Sequence, residues 1–221
     1  MNIENHQENE QLNSISMAGL GLIRASIGLT AVTLAICGFA YSSVAAGLGQ
    51  VIFPHQANGS LIVQNGEVIG SSLVAQPFIQ AKYFQPRPSA SNYDPMAMAG
   101  SNLARTNPAL HEMMDERLNK IVAQERVEKS QIPADLVTAS GSGIDPEISL
   151  QAALIQINRI AAARGMSVQK VEKLVLERSI QPSFGILGQT RVNVLEINIA
   201  LDQAKKRFNK MEGRGELSSS F

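Results

Sequence analysis

The segment Ser140-Gly-Ser-Gly-Ile-Asp-Pro146 combines small, hydroxyl-bearing and acidic residues at close spacing. A Gly-rich backbone ahead of a helix start can cradle an anion with its N–H groups. No lysine of the phosphate-loop kind follows, however, and Asp145 would repel a phosphate. The competing reading is a turn in which Asp145 caps the next helix. Ser140 and Ser142 do not stand in a Gly-x-Ser-x-Gly elbow. The histidines that could serve a serine as base are His6, His55 and His111, scattered along the chain. Arg87, between Pro86 and Pro88 with Phe84 and Tyr93 nearby, is a second candidate. It suits an anionic ligand or a partner loop, or simply a solvated arginine in a proline-stiffened loop. Asp94, Asp115, Asp135 and Asp145 show no spacing of a metal loop. The single cysteine, Cys37, excludes both an intrachain disulfide and a Cys-based metal site. No catalytic residue, metal site or bound cofactor is assigned from these residues.

The elements that must position these groups follow from periodicity. Two β-branched runs flank Asn65-Gly66, the signal of a two-residue hairpin. Residues 76–104 are rich in proline, with Pro77, Pro86, Pro88 and Pro95, and read as a long irregular loop. Asn107-Pro108 opens a helix, Asn as cap and Pro in the first turn, with Leu110, Met114, Leu118, Ile121 and Val122 on one face through Lys129. Pro133 ends it. Leu136–Gly143 reads as a short strand leading into the Ser-Gly-Ser-Gly turn. Asp145-Pro146 opens a further helix with the stripe Leu150, Ala153, Leu154, Ile157, Ile160 and Ala161, closed by Gly165. Ser167 starts another, carrying Val168, Val171, Leu174 and Val175. Residues 192–201 fit neither template alone: Leu195, Ile197, Ile199 and Leu201 alternate, while Val192 and Val194 have the opposite phase. The expected fold class is α+β.

Charge narrows the function classes. Nineteen basic and nineteen acidic side chains cancel, and aromatic residues make up 5% with no tryptophan. Neither a nucleic-acid field nor a stacking platform is present. The apolar run is the clearest feature. Residues 25–66 hold no Asp, Glu, Lys or Arg. Ala25–Ala46 as a helix would be about 33 Å long, enough to cross a hydrocarbon core of about 30 Å. Gly28, Thr33 and Gly38 are small residues that would let a partner helix approach. A cleaved signal peptide is the alternative, with Ser43-Val-Ala45 as the processing site. The run is longer than the usual 7–15 or so apolar residues of such signals, and Arg24 is the lone cation before it. Arg24 on one side, against no basic residue until Lys82 on the other, places the N-terminus inside. The expected organisation is a polar extension over 1–23, a membrane helix over 24–47, an extracytoplasmic domain over 48–202 and a flexible basic tail over 203–221.

Several segments, taken in order, resemble the KdpC family, an accessory component of the bacterial potassium-transporting P-type ATPase. They are Phe53-Pro-His-Gln-Ala-Asn-Gly-Ser-Leu-Ile62, Arg87-Pro-Ser-Ala90, Gly100-Ser-Asn-Leu103, Pro133–Pro146, Gln156–Gly165 and Val192–Asp202, across about residues 24–202. The chain departs from the family pattern at Ala75, where glycine is usual, and at Ile144, where leucine is usual. The resemblance implies an accessory, non-catalytic subunit in the inner membrane. Its partners would be a channel-like pore subunit and a separate ATPase subunit, with the lipid bilayer around its helix. ATP is implied for the complex, and the family is described as a chaperone that raises the ATPase subunit's affinity for it. The candidate partner interface is Gly28, Thr33, Gly38, Arg87, Ser89, Asn102, Ser140, Ser142 and Asp145. A membrane-tethered hydrolase or ligand-binding domain is the alternative reading.

Overall fold

The computed structural model describes residues 19–205, in two compact units divided between Gly59 and Ser60. The first unit is a long helix, α1 (Gly19–Ile52), followed by the single turn α2 (Pro54–Ala57). At about 1.5 Å per residue α1 is about 51 Å long, longer than the expected 24–47 segment and longer than a hydrocarbon core. Arg24 is its only charged residue, and no residue of its apolar stretch is buried among the described residues. Such a helix satisfies its own backbone, which is what a lipid environment demands. From Leu34 to Ala40 the turns widen to π-helix, and the Ser42 hydroxyl donates to the Cys37 carbonyl at 3.3 Å.

The second unit opens with the hairpin β1 (Leu61–Gln64) and β2 (Glu67–Ser71), paired antiparallel. Asn65 and Gly66 both have positive φ, 54° and 86°, as the type I′ turn requires. A bulge between Ile62 and Val63 breaks the register. Gly70 lies under the Gln76 amide and Leu195, so a side chain there would displace that amide. The expected irregular segment then runs from Ser72 to Asn107 with no regular element. Helix α3 (Pro108–Glu125) begins where Asn107 accepts the Ala109 N–H at 3.0 Å. It stops at Glu125, short of the expected Lys129, because Arg126 turns left-handed (φ 58°).

The expected strand over Leu136–Gly143 does not form. A 3-10 turn at Ala134–Leu136 leads into a loop instead. Nor does Asp145-Pro146 open a helix. The chain first forms β3 (Glu147–Ser149), and Ser149 caps α4 (Leu150–Arg164) by accepting from Ala152 at 3.0 Å. Asp135 fixes that cap, accepting both the Ser149 N–H at 2.7 Å and its hydroxyl at 3.2 Å. Gly165, left-handed at φ 66°, ends α4 as expected, and α5 (Val168–Arg178) follows Ser167. Next, β4 (Arg191–Asn193) pairs antiparallel with β3. Its last residue, Asn193, caps a helix over 194–205, α6, by accepting from Glu196 at 3.1 Å. The two phases read in 192–201 are therefore a strand end and a helix start joined without a loop.

The core lies among α4, α5, α6 and the β3–β4 pair. Ile148, Ile157, Ile160, Val171, Val175, Val192, Ile197 and Leu201 fill it, with Phe84 wholly buried from the irregular segment. Leu154, expected on the buried stripe of α4, stays 36% exposed.

Among the described residues, residues 81–85 have no strand partner, and side chains supply what a strand would. Asn198 accepts the Phe84 N–H at 2.8 Å and donates to the Phe84 carbonyl at 2.9 Å. Gln156 accepts the Gln85 N–H at 2.8 Å and donates to the Gln85 carbonyl at 3.3 Å. Arg159 donates to the carbonyls of Ala81 and Tyr83, at 2.5 and 2.9 Å, and Arg164 to that of Lys82 at 2.6 Å. The Arg164 guanidinium also lies 5.0 Å from the Tyr83 ring centre and pairs with Asp202 at 2.9 Å.

Arg159 reaches Glu125 as well, at 2.7 Å, where both side chains are almost fully covered. Burial pushes the Glu125 carboxyl above its ordinary value of 4.5, with Arg159 and Gln124 countering only part of the effect. The folded carboxyl therefore holds its proton more tightly than the unfolded one. Its contribution to stability is full below about 4.5 and is lost as pH rises through the raised folded value. Urea midpoints of the full chain in detergent, compared with Glu125→Gln, should show the wild type losing ground to the variant as pH rises from 4 to 7. A difference that stays flat or grows the other way contradicts the assignment.

Candidate partner interface

From the clamped residues the chain passes directly into Pro86–Pro88, and Arg87 meets Asp145 across the fold. Its Nη1 lies 2.9 Å from Asp145 Oδ2, with both side chains about a quarter exposed. The other Asp145 oxygen accepts the Glu147 N–H at 3.0 Å. Asp145 is thus the hinge of a turn and the partner of Arg87, rather than a helix cap. Arg87 in turn is neutralised within the fold, which removes it as a free anion receptor. Phe84, read beside it, is in the core.

Ser89 is the centre of a compact knot. Its hydroxyl donates to the Gly143 carbonyl at 2.6 Å and accepts the N–H groups of Ser91 and Tyr93 at 3.1 and 2.9 Å. Tyr93 holds a left-handed backbone (φ 61°), and its hydroxyl closes onto the Arg87 carbonyl at 2.9 Å. A bulky residue keeps such a conformation only where its surroundings fix it. Burial also raises the Tyr93 pKa, with Arg117 opposing.

The Ser140 loop is sewn to the same knot. The Ser140 N–H donates to the Pro88 carbonyl at 3.1 Å, and the buried Ser140 hydroxyl accepts from Gly143 at 3.0 Å. Ser142 accepts from Ile144 at 3.2 Å, and the Ile144 carbonyl accepts from Ala75 at 2.9 Å. The backbone N–H groups of residues 140, 143 and 144 therefore point at protein acceptors rather than at an incoming anion. Neither serine is hydrogen-bonded to a histidine among the described residues. His111 donates to the Arg105 carbonyl at 2.8 Å instead. Among the described residues no group of three His, Cys, Asp or Glu side chains is placed to hold a metal. The arrangement can present a rigid surface, and it has no nucleophile–base pair of the hydrolase kind.

Of the expected interface residues, Arg87, Ser89, Ser140, Ser142 and Asp145 are thus brought into one double loop. Asn102 is exposed and left-handed (φ 52°) near its far end. Gly28, Thr33 and Gly38 lie on α1, where a Cβ at Gly28 or Gly38 meets nothing within 4 Å. With 3.6 residues per turn, Gly28 and Thr33 are roughly 140° apart around the helix, so they do not share one face. Sequence reasoning missed Gln156 and Asn198. The available signal was a lone amide on each of two otherwise apolar helix faces.

Gly143 shows how closely the two loops meet. It is left-handed (φ 74°), and a Cβ there would collide with the Ser91 hydroxyl and stand 2.7 Å from the Ala99 carbonyl. Gly143→Ala should lower stability by at least about 1–2 kcal/mol. Gly141→Ala, where nothing lies within 4 Å, should stay within about 0.5 kcal/mol of wild type. Urea midpoints of the two variants check this, and equal midpoints contradict the close apposition.

The family model "KdpC: K+-transporting ATPase, c chain" matches residues 23–203. The chain is 48% identical over 191 residues to the potassium-transporting ATPase KdpC subunit of Xanthomonas campestris pv. campestris strain B100, covering 86% of this chain and 91% of that one. It is 46% identical over 184 residues to the subunit of the same name in Shewanella putrefaciens, covering 83% and 90%. In Acidobacterium capsulatum the same-named subunit is 48% identical over 183 residues, covering 82% and 97%.

Proposed function

This chain belongs to the KdpC family of K+-transporting ATPase c chains, and on that premise we propose that it assembles and stabilises an ATP-driven potassium uptake complex. It is an accessory subunit of that transport system. The catalytic chain and the pore are separate polypeptides in this reading, and no residue of this chain carries out the chemistry. The observation that carries the proposal is the extent of the family match, which spans the apolar helix as well as the domain that follows.

We place the N-terminus in the cytoplasm and the domain from Ser60 onward outside the inner membrane. Support comes from Arg24, the only charge in α1, and from the absence of any basic residue between it and Lys82. A domain on that side does not touch cytoplasmic ATP. An effect on the affinity of the ATPase subunit for ATP is then an allosteric coupling transmitted through the membrane-spanning chains. Contact with the extracytoplasmic mouth of the pore subunit fits this topology.

Purification through a tag on this chain should recover two larger membrane proteins with it, and protease added to intact spheroplasts should clip the C-terminal domain. Full protection overturns the orientation, and a chain recovered alone overturns the assembly role. At Gly28 and Gly38 an added Cβ meets nothing within 4 Å among the described residues, so Gly28→Leu and Gly38→Leu report on packing against a partner helix. Each should lower recovery of the partners while membrane insertion is unchanged; undiminished recovery makes α1 a plain tether.

A further inference from the structure

A half-open groove of about 380 Å³ runs between α3 and the proline-rich segment. One wall is the α3 face bearing Arg117, Lys120 and Ile121. The other is built from Pro77–Ile79 and the residues leading to Ser89. Arg117 and Lys120 are one turn apart on that face, and neither forms an ion pair among the described residues. Arg117 gives one N–H to the Val137 carbonyl at 2.9 Å, which fixes its guanidinium at the groove. The one carboxylate in the lining, Glu125, is already matched by Arg159 at 2.7 Å. The lining therefore carries a net positive charge that no group of opposite sign within it offsets. Its far wall is largely apolar: Pro77, Phe78, Pro86 and Pro88 line it, and Ile79 on the same wall is 85% exposed.

We propose that this groove receives an acidic segment of another subunit of the complex, an Asp or Glu side chain seated between Lys120 and Arg117 with a flanking apolar residue against Ile79. The charge complementarity selects a carboxylate. The exposed isoleucine beside rigid prolines selects a polypeptide over a free small anion, which has no apolar flank to cover it. Ser89 and Tyr93, the centre of the double loop, line the same groove, so the knot described above sets its width. This inference rests on the reading of the chain as a component of a larger complex.

The test uses the intact complex in its membrane. A photoreactive benzoylphenylalanine is placed at Ile79, irradiated, and the crosslinked peptide is identified by mass spectrometry. The expected product joins Ile79 to a partner segment with an Asp or Glu within a few residues. Lys120→Glu, at an exposed position, should cut the crosslink about tenfold, as a like charge replaces an attraction. A lysine substituted at the mapped acidic position should restore it, which a misfolded Lys120→Glu chain would not allow. A crosslink to lipid, to a segment without a carboxylate, or no crosslink from a complex recovered in full overturns the docking site. A wild-type chain recovered with no partner at all overturns the assembly reading instead.

Discussion

The fold depends on a substitution of side chains for a missing strand. Residues 81–85 run beside α4 and α6, and their backbone groups are met by Gln156, Arg159, Arg164 and Asn198. The Asn198 and Gln156 amides each present a donor and an acceptor, as a neighbouring strand would. Each hydrogen bond adds only about 0.5–1.5 kcal/mol net, but leaving a buried partner orphaned costs about 1–3 kcal/mol. The grip is thus stronger as a constraint than as a source of stability. It lets Phe84 reach the core from a segment with no regular structure, and it fixes where the chain leaves for Pro86.

The double loop lies downstream of that exit. Arg87 meets Asp145, Ser89 meets Gly143, and Ser140 meets Pro88 because the clamp delivers residues 86–89 at the right height beside the 140–145 loop. The second loop is positioned independently, by the step from Asp145 into β3 and by Asp135 holding the cap of α4. Two elements with separate anchors therefore lock together at Ser89. Such a double loop is rigid without secondary structure, which suits the interface role proposed for it. The same clamp borders the groove at Gln85 and Gln156, so the width of the positive cleft depends on it too.

Much of this architecture was legible from local chemistry. Asn65-Gly66, Asn107-Pro108, Gly165 and Ser167 each mark a boundary because the backbone there has one favourable solution. The apolar helix was legible from its length and lack of charge. What was hidden depended on contacts distant in sequence. Asp145 looks like a cap until Arg87, 58 residues away, takes one of its oxygens and the turn to Glu147 the other. The end of α3 at Glu125 is set by the left-handed Arg126, and nothing in that residue's type announces it. Residues 192–201 looked contradictory because a strand and a helix share a cap at Asn193 without a connecting loop. Gln156 and Asn198 were hardest, since an amide on an apolar face only acquires its meaning once the segment it grips is in place.

Whether the side-chain clamp holds residues 81–85 as a strand would decides all that is built on it. Amide hydrogen exchange of the full chain in detergent measures this directly at the Phe84 and Gln85 N–H groups. The structure predicts protection close to that of the α4 amides around Ile157 and Ile160, with exchange only on global opening. Exchange at the rate of the exposed loop around Met96 and Met98 would contradict it. The double loop and the groove beside it would then have no fixed base.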